Sequence, residues 1–324
     1  MSFADIQGQS SPIEIIRQYL SGSFSGRGLL FCGPQGVGKK LAALNMAKAI
    51  NCLNNNLDPC EQCPSCLKIN KGQHPDVFLI DCLTPIEAEF GLAKKDFGDS
   101  NSVRIGHIRA LQKHISLRPY EGKKKVFIID EAQNMTSEAS NALLKTLEEP
   151  PQDSLIILVS SKPALLFKTI ISRCQPVKFS GMQKQELRQV LQKKYGLDYN
   201  CGHYLAFYCE GRLGYALKLK EDGLFFRKNE IIDGKFLVKE RQDLRDILNI
   251  LSVWYRDIYL YKAGLDEAEL INYDRRQDLK RASAAHSFEH LDNVLSCISD
   301  SALRIEQNIN VKLLLANLKA VLSN

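Results

Sequence analysis

No stretch of this 324-residue sequence approaches the roughly 18 consecutive apolar residues of a membrane-crossing helix. The opening residues, Met1-Ser2-Phe3-Ala4-Asp5-Ile6, offer neither the basic nor the apolar segment that begins a secretory signal. Both absences argue against a membrane or exported protein and set the expectation of a cytosolic (cytoplasmic) chain with no membrane partner. There is no internal repeat and no low-complexity tract, so neither a solenoid nor a biased linker is expected. One-sided charge is missing too. Lys and Arg total 43 against 37 Asp and Glu, and the net charge of +6 permits nucleic-acid contact without demanding it. No aromatic-rich or base-reading motif adds to that weak signal. What remains, 44% hydrophobic and 25% charged residues, is the balance of a soluble protein long enough for two or three domains.

The first half alternates short, continuous apolar runs with helical stretches. Leu29-Leu30-Phe31-Cys32, Val77-Phe78-Leu79-Ile80, Val126-Phe127-Ile128-Ile129 and Leu155-Ile156-Ile157-Leu158-Val159 read as strands buried on both faces of a parallel sheet. Between them, Ala139, Leu143 and Leu147 recur every fourth residue in Ser137 to Glu149. Thr136 is placed to cap that helix, Glu138 suits its first turn, and Pro150-Pro151 ends it. Strands separated by helices predict a three-layer α/β domain over residues 1–179. The strand runs then cease. Met182 to Lys194 and Gly202 to Lys220 read as short helices broken at Gly196, Gly202 and Gly211, a small helical lid over 180–221. Residues 222–324 read as a helical bundle. Its segment Asp243 to Lys262 carries Leu244, Ile247, Leu248, Leu251, Trp254, Tyr255 and Ile258 along one side, and Phe288 to Gln307 and Asn310 to Leu322 follow.

"FCGPQGVGKK", Phe31 to Lys40, is nearly the nucleotide-binding pattern G-x-x-x-x-G-K-[ST]. Gly33, Gly36 and Gly38 would let the backbone N–H groups cradle phosphates at a helix N-terminus, and Lys39 would reach the β/γ-phosphates. The next residue should carry a hydroxyl for Mg²⁺. Here it is Lys40, which donates hydrogen bonds but cannot ligate a metal. A plain glycine-rich turn is the alternative, but strand, loop and helix fall where the motif requires them. The second half of such a site is an acidic strand end, supplied by Asp130 and Glu131: one to hold Mg²⁺ through water, the other to orient an attacking water. With Lys40 present, the expectation is a degenerate phosphate loop whose ATP/Mg²⁺ binding is in doubt and whose Asp130 and Glu131 are inactive in hydrolysis.

Of ten cysteines, Cys52, Cys60, Cys63 and Cys66 form C-x7-C-x2-C-x2-C within 52–66. Two C-x2-C steps bring thiolates onto one ion, and four thiolates close a tetrahedral Zn²⁺ site with no open position. The metal would be structural rather than catalytic. Cys32, Cys82, Cys174, Cys201, Cys209 and Cys297 read as scattered structural residues.

Taken together, "GPQGVGKK", the four-cysteine insertion, "HPDVFLID", "RPYEGKKKVFIIDEAQNMTSEASNALLKTLEEPP" and "TIISRCQPVKF" resemble the bacterial clamp-loader AAA+ ATPases of the DNA polymerase III holoenzyme. The likeness is close over about the first 180 residues. Beyond them it is one of length and helical character rather than motif. It implies a RecA-like AAA+ parallel-sheet domain with a zinc-binding insertion, a small helical lid and a C-terminal helical collar. The implied activity is DNA replication: a heteropentameric ring opens the beta sliding clamp and closes it on primer–template DNA, touching the DNA backbone. The implied neighbours are gamma/tau and delta subunits. Ser172-Arg173-Cys174, after the last predicted strand, matches the motif whose arginine serves the nucleotide of a neighbouring subunit in trans. An always-charged, planar guanidinium suits charge developing on a transferring phosphoryl group.

Two departures bear on whether the chain is a motor or a stator. Lys40 replaces the hydroxyl residue, and Gly214 stands where motor subunits carry a sensor arginine. Arg212 lies two residues early, half a helical turn away. A stator that lends Arg173 without hydrolysing ATP is therefore expected, with a gamma/tau-type ATPase as the alternative. A different AAA+ loader is the poorer reading, because of the cysteine insertion and the Ser-Arg-Cys motif. Ser160 or Ser161 matches the sensor-1 region, and Lys123-Lys124-Lys125 with Arg104 are candidate DNA-backbone contacts, although a solvated loop explains the lysine run as well or better.

Overall fold

The computed structural model describes residues 2–22, 28–54, 57–82, 102–235, 238, 240–306 and 311–322. Gln307 and Asn310, the ends of two expected helices, lie outside the described residues. Two compact units are present, Met1–Met182 with Arg212–Gly214, and Gln183–Gly211 with Tyr215–Asn324.

In the first unit, β1 (Gly28–Cys32), β2 (Val77–Ile80), β3 (Lys125–Ile129), β4 (Ser154–Ser160) and β5 (Cys174–Lys178) form one sheet in the order β2-β3-β4-β1-β5. All neighbours run parallel. The continuous apolar runs have their cause in two cores. On one face Leu29, Phe31, Val126, Ile128, Leu155, Ile157 and Val159 pack with Ile13 and Ile16 of α1 (Ser10–Leu20) and Ala42, Ala43 and Met46 of α2 (Lys39–Asn51). The opposite face sets Leu30, Phe127, Ile129, Ile156 and Leu158 against Ile108 and Leu111 of α4 (Ile105–Ile115) and Ala139, Leu143 and Leu147 of α5 (Ser137–Glu148). Each fully buried Leu, Ile or Phe contributes about 1.5–3 kcal/mol to that packing. Thr136 caps α5 as expected, its Oγ1 accepting the Ala139 N–H. Between β1 and β2, α3 (Pro64–Asn70) follows the cysteine segment.

β5 is the strand the apolar pattern does not announce. "CQPVK" holds a proline and buries only Cys174 and Val177, as its place on the sheet edge beside β1 allows. Arg173 accordingly stands after α6 (Lys168–Ile171) and immediately before the last strand, not beyond it.

In the second unit, α7 (Lys184–Tyr195) and α8 (Tyr199–Tyr208) pack as a pair. Helix α8 runs through Gly202 instead of breaking there. A helix-interior glycine costs about 1 kcal/mol relative to alanine, but a Cβ here would already meet Gln192 Cγ of α7 at 3.4 Å, and the missing side chain allows the close approach. Helix α9 spans Leu213–Glu221 across the change of unit, and α10 is Leu224–Ile232. The long α11 (Arg241–Lys262) buries the stripe Leu244, Ile247, Leu248, Leu251 and Ile258. It packs on α12 (Arg276–Ala285) and α13 (Phe288–Glu306), with α14 (Val311–Leu322) against α13. Among the described residues, no helix is long and apolar enough to cross a membrane.

Candidate functional site: a phosphate loop, a cysteine cluster and an edge arginine

The loop after β1 begins at Gly33, whose N–H reaches Ser160 O of β4 at 3.3 Å while Phe179 N–H closes on Cys32 O at 2.7 Å. Its φ of +148° and its contact with Phe179 leave no room for a side chain, since an added Cβ would overlap the Phe179 carbonyl. Gly36 lies in the loop and Gly38 caps α2, so the chain turns directly from strand into helix. The Lys39 ammonium folds back on the loop and donates to Gly33 O and Pro34 O, each at 2.7 Å. Burial pushes its pKa down, opposed by Glu131 and Asp130.

Lys40 finds an acid across the sheet. Its Nζ lies 3.0 Å from Asp130 Oδ2 and 3.9 Å from Asp81 Oδ2. The register explains both contacts: Ile80 of β2 pairs with Ile129 of β3, so the next residues, Asp81 and Asp130, leave the sheet side by side. Asp81 is a site residue that sequence reasoning missed. It closes the quoted "HPDVFLID", but nothing in one sequence says that β2 lies beside β3. A magnesium ion does not fit this arrangement. The loop supplies no hydroxyl ligand, and an ammonium already stands on the carboxylate that would receive the ion.

Glu131 adopts φ +47°, a left-handed conformation uncommon for a residue with a side chain. Asn134 N–H on Glu131 O (2.8 Å) and Glu131 N–H on Asp130 Oδ1 (3.0 Å) hold it there. Its carboxylate accepts from Ser161 Oγ at 2.9 Å and from the Gln133 amide. Gln133 in turn accepts from Ser160 Oγ (2.7 Å) and Ser161 N–H (3.2 Å). Of the two candidate serines, Ser161 is the one whose hydroxyl reaches Glu131. Gln133, the bridge, carried no signal in the sequence.

Gly214, placed with the first unit, donates its N–H to Gly36 O at 2.8 Å. A Cβ on it would approach that same carbonyl at 2.9 Å, so any side chain at 214 pushes directly on the phosphate loop.

The four cysteine sulfurs lie within 4.8 Å of one another. Tetrahedral Zn–S bonds of ~2.3 Å would place them about 3.8 Å apart, so the cluster could hold a metal ion such as zinc after a small contraction. Cys63 caps α3, its Sγ accepting Cys66 N–H at 3.5 Å, while Cys60 Sγ accepts Cys63 N–H at 3.3 Å. Beside the cluster, the buried Lys48 ammonium pairs with Glu61 and donates to Asn70 Oδ1 at 3.1 Å. Burial would raise the Glu61 carboxyl, but Lys48 and Asn70 outweigh it and bring its pKa down to about 2.

The loop 120–124 is built from below by two side chains distant in sequence. Fully buried Asp76 accepts N–H groups from Tyr120, Glu121 and Gly122 at 2.7, 2.8 and 2.7 Å. Asn51 Oδ1 accepts those of Lys123 and Lys124 at 2.8 and 3.1 Å. Lys125 turns inward and donates to His114 O at 3.0 Å. It is withdrawn from the candidate backbone contacts by its place inside β3. Lys123 Nζ reaches Cys52 O at 2.9 Å, joining this loop to the cysteine cluster. Arg104 precedes α4, its N–H held by His107 Nδ1 at 3.0 Å.

Arg173 sits at the opposite end of the sheet from the phosphate loop. It precedes β5, the loop follows β1, and the two strands are parallel with Gly28 beside Cys174 and Cys32 beside Lys178. A strand of that length spans about 16 Å, beyond the reach of an arginine side chain. Its guanidinium donates from Nε and Nη2 to Glu148 Oε1 at 2.8 and 2.5 Å, and from Nη1 to Thr169 O at 2.9 Å.

A phosphate loop after β1, acids after β3 and an all-parallel sheet ordered β2-β3-β4-β1-β5, followed by helices, define a domain of the AAA+ class. More narrowly, the chain belongs to the DNA polymerase III delta-subunit family, a family of clamp-loader subunits. The model described as "DNA polymerase III, delta subunit" matches residues 8–183, and that of "DNA polymerase III, delta subunit, C terminal" matches 225–319. The chain is 29% identical over 313 residues to DNA polymerase III subunit delta' of Bacillus subtilis, covering 90% of this chain and 89% of that one. It is 37% identical over 189 residues to subunit gamma/tau of Mycoplasma pneumoniae, covering 58% of this chain but 25% of that one. A solved gamma subunit-related protein of Thermotoga maritima aligns with 96% of this chain and 98% of its own at 18% identity and a TM-score of 0.48.

Proposed function

We propose that this chain is a delta-prime-type stator of the DNA polymerase III clamp loader, lending Arg173 in trans to the nucleotide of a gamma/tau neighbour while hydrolysing none itself. The observation that carries the reading is the Lys40–Asp130 ion pair at 3.0 Å, which puts a fixed ammonium where catalysis needs a divalent ion. Support also comes from Arg173, which stands a strand's length from the chain's own phosphate loop and so suits a pocket on another subunit. The similarity to a delta' subunit runs along nearly the whole chain, whereas that to gamma/tau covers little more than half of it. In this reading residues 1–179 carry pocket and finger, 180–221 the lid, and 222–324 the collar that meets gamma/tau and delta subunits. The beta clamp and the primer–template backbone are met through the ring, in the cytoplasm. Zinc on Cys52, Cys60, Cys63 and Cys66 is structural.

The isolated chain should turn over no ATP above background. In a complex reconstituted with gamma/tau and delta subunits, Arg173→Ala should lower clamp- and DNA-stimulated hydrolysis at least about tenfold. An unchanged rate overturns the finger assignment. The higher identity of the gamma/tau match keeps one rival, an ATPase working through Lys39, Asp130 and Glu131. Magnesium-dependent turnover by the isolated chain, abolished by Lys39→Ala, would favour it.

A further inference from the structure

Helix α5 ends on Glu148, and the chain returns past α6 to place Arg173 beside it. An arginine offers five N–H donors in a rigid plane. Three are engaged here: Nε and Nη2 on Glu148 Oε1, and Nη1 on Thr169 O. Two remain on a guanidinium whose side chain keeps 33% exposure. Its plane is therefore fixed from two sides by an α-helix terminus and a backbone carbonyl, with a pair of donors left for a ligand. An unsupported arginine of this length would have to give up its rotamer freedom at the moment it met a phosphate.

From this geometry we propose that Glu148 is a positioning residue: it orients Arg173 in advance for an anionic phosphoryl group presented by a neighbouring subunit. The inference rests on the finger reading above. The carboxylate acts through its acceptor oxygen and not through its charge, since a negative group beside the finger weakens the field the finger presents. The acceptor geometry is what a glutamine can keep.

The test is ATP hydrolysis by the complete complex with clamp and primed DNA, using Glu148→Ala, Glu148→Gln, Arg173→Ala and the double variant Glu148→Ala/Arg173→Ala. Glu148→Ala should lower kcat about tenfold, as misplacement of a reacting group does, with KM for ATP unchanged. Glu148→Gln should recover to within about threefold of the parent. In the Arg173→Ala background, Glu148→Ala should cost nothing further. A parental rate for Glu148→Ala, an undiminished loss in the Arg173→Ala background, or a Glu148→Gln as impaired as Glu148→Ala would each overturn the proposal and leave the finger standing. No effect of Arg173→Ala would overturn the finger itself and this inference with it. A folding defect in Glu148→Ala would also lower the rate in the Arg173→Ala background, so the double variant distinguishes it from a positioning role.

Discussion

Replacing Lys40 with threonine exchanges an ammonium for the hydroxyl that a working phosphate loop carries, and the structure fixes what else should change. At 3.0 Å and an effective dielectric near 20, the Lys40–Asp130 attraction is about 5–6 kcal/mol gross. Lys40 is 43% exposed and Asp130 14%, so desolvation, side-chain ordering and salt reduce the net worth to about 0–1 kcal/mol. The melting temperature should thus move by no more than about 4 °C. Magnesium should respond far more. A divalent ion on Asp130 would sit about 4 Å from the lysine ammonium, and even at the dielectric of bulk water that repulsion is about 2 kcal/mol. Its removal should raise magnesium-dependent nucleotide affinity at least about thirtyfold.

The assay is calorimetric titration of a non-hydrolysable ATP analogue into the full chain, parent and Lys40→Thr, each with Mg²⁺ and with EDTA. The parent should bind no better with magnesium than without it, and the variant should. A parent that already gains tenfold from magnesium, or a variant that gains nothing, refutes the argument that the ammonium occupies the metal's place.

Two further outcomes concern stability. Burial alone would raise the Asp76 carboxyl, but the N–H groups of Tyr120, Glu121 and Gly122 overcome it and hold its pKa below the usual value. Its stabilisation is therefore whole above about pH 4, the unfolded value, and is lost as pH falls through the lower folded one. Asp76→Asn, which turns an NH₂ toward at least one of those donors, should destabilise by about 2–4 kcal/mol at pH 7 in urea unfolding, with the gap narrowing toward pH 2. For the cysteine cluster, elemental analysis of the purified chain should find about one zinc per molecule, and Cys63→Ser should release it with loss of protease resistance around 52–66.

The central strands β1, β3 and β4 were legible because a strand covered on both faces is apolar along nearly all its length. The edge strand β2, half-buried at Val77, Phe78 and Leu79, was legible because it is apolar throughout. Strand β5 was not, since this edge strand carries exposed Pro176 and Lys178 and half-buried Gln175, which read as loop. The phosphate loop and the cysteine spacing were legible because a local backbone or a metal dictates them within a few residues. The Lys40–Asp130 and Lys40–Asp81 contacts join residues that are far apart in the chain and depend on the strand order. So does Asp76 beneath Gly122. Glu148 and Arg173 both fall within quoted motifs, yet only the return of the chain from α5 through α6 sets one against the other. Gly202 shows the reverse error: a residue that suggests a break can instead mark where two helices need to touch.

The phosphate pocket and the edge arginine differ in what each leaves for a ligand. Lys39 is satisfied by Gly33 O and Pro34 O, Lys40 by Asp130, and Gly36 O by the Gly214 N–H, while Glu131 is held by Ser161 and Gln133. A nucleotide would have to displace several of these internal partners, and the Lys40–Asp130 pair would also repel the ion that normally compensates phosphate charge. An arginine at Gly214 would begin by forcing Gly36 away, since its Cβ alone comes within 2.9 Å of that carbonyl. If the proposed stator reading holds, restoring one motor residue should not restore a motor, because several residues of the pocket satisfy one another. Arg173 is the contrary case: its contacts with Glu148 and Thr169 fix the plane and engage three of its five donors. Under the proposed reading, a pocket whose groups satisfy one another beside an edge arginine with two unengaged donors suits a chain that acts on a phosphate held by another subunit.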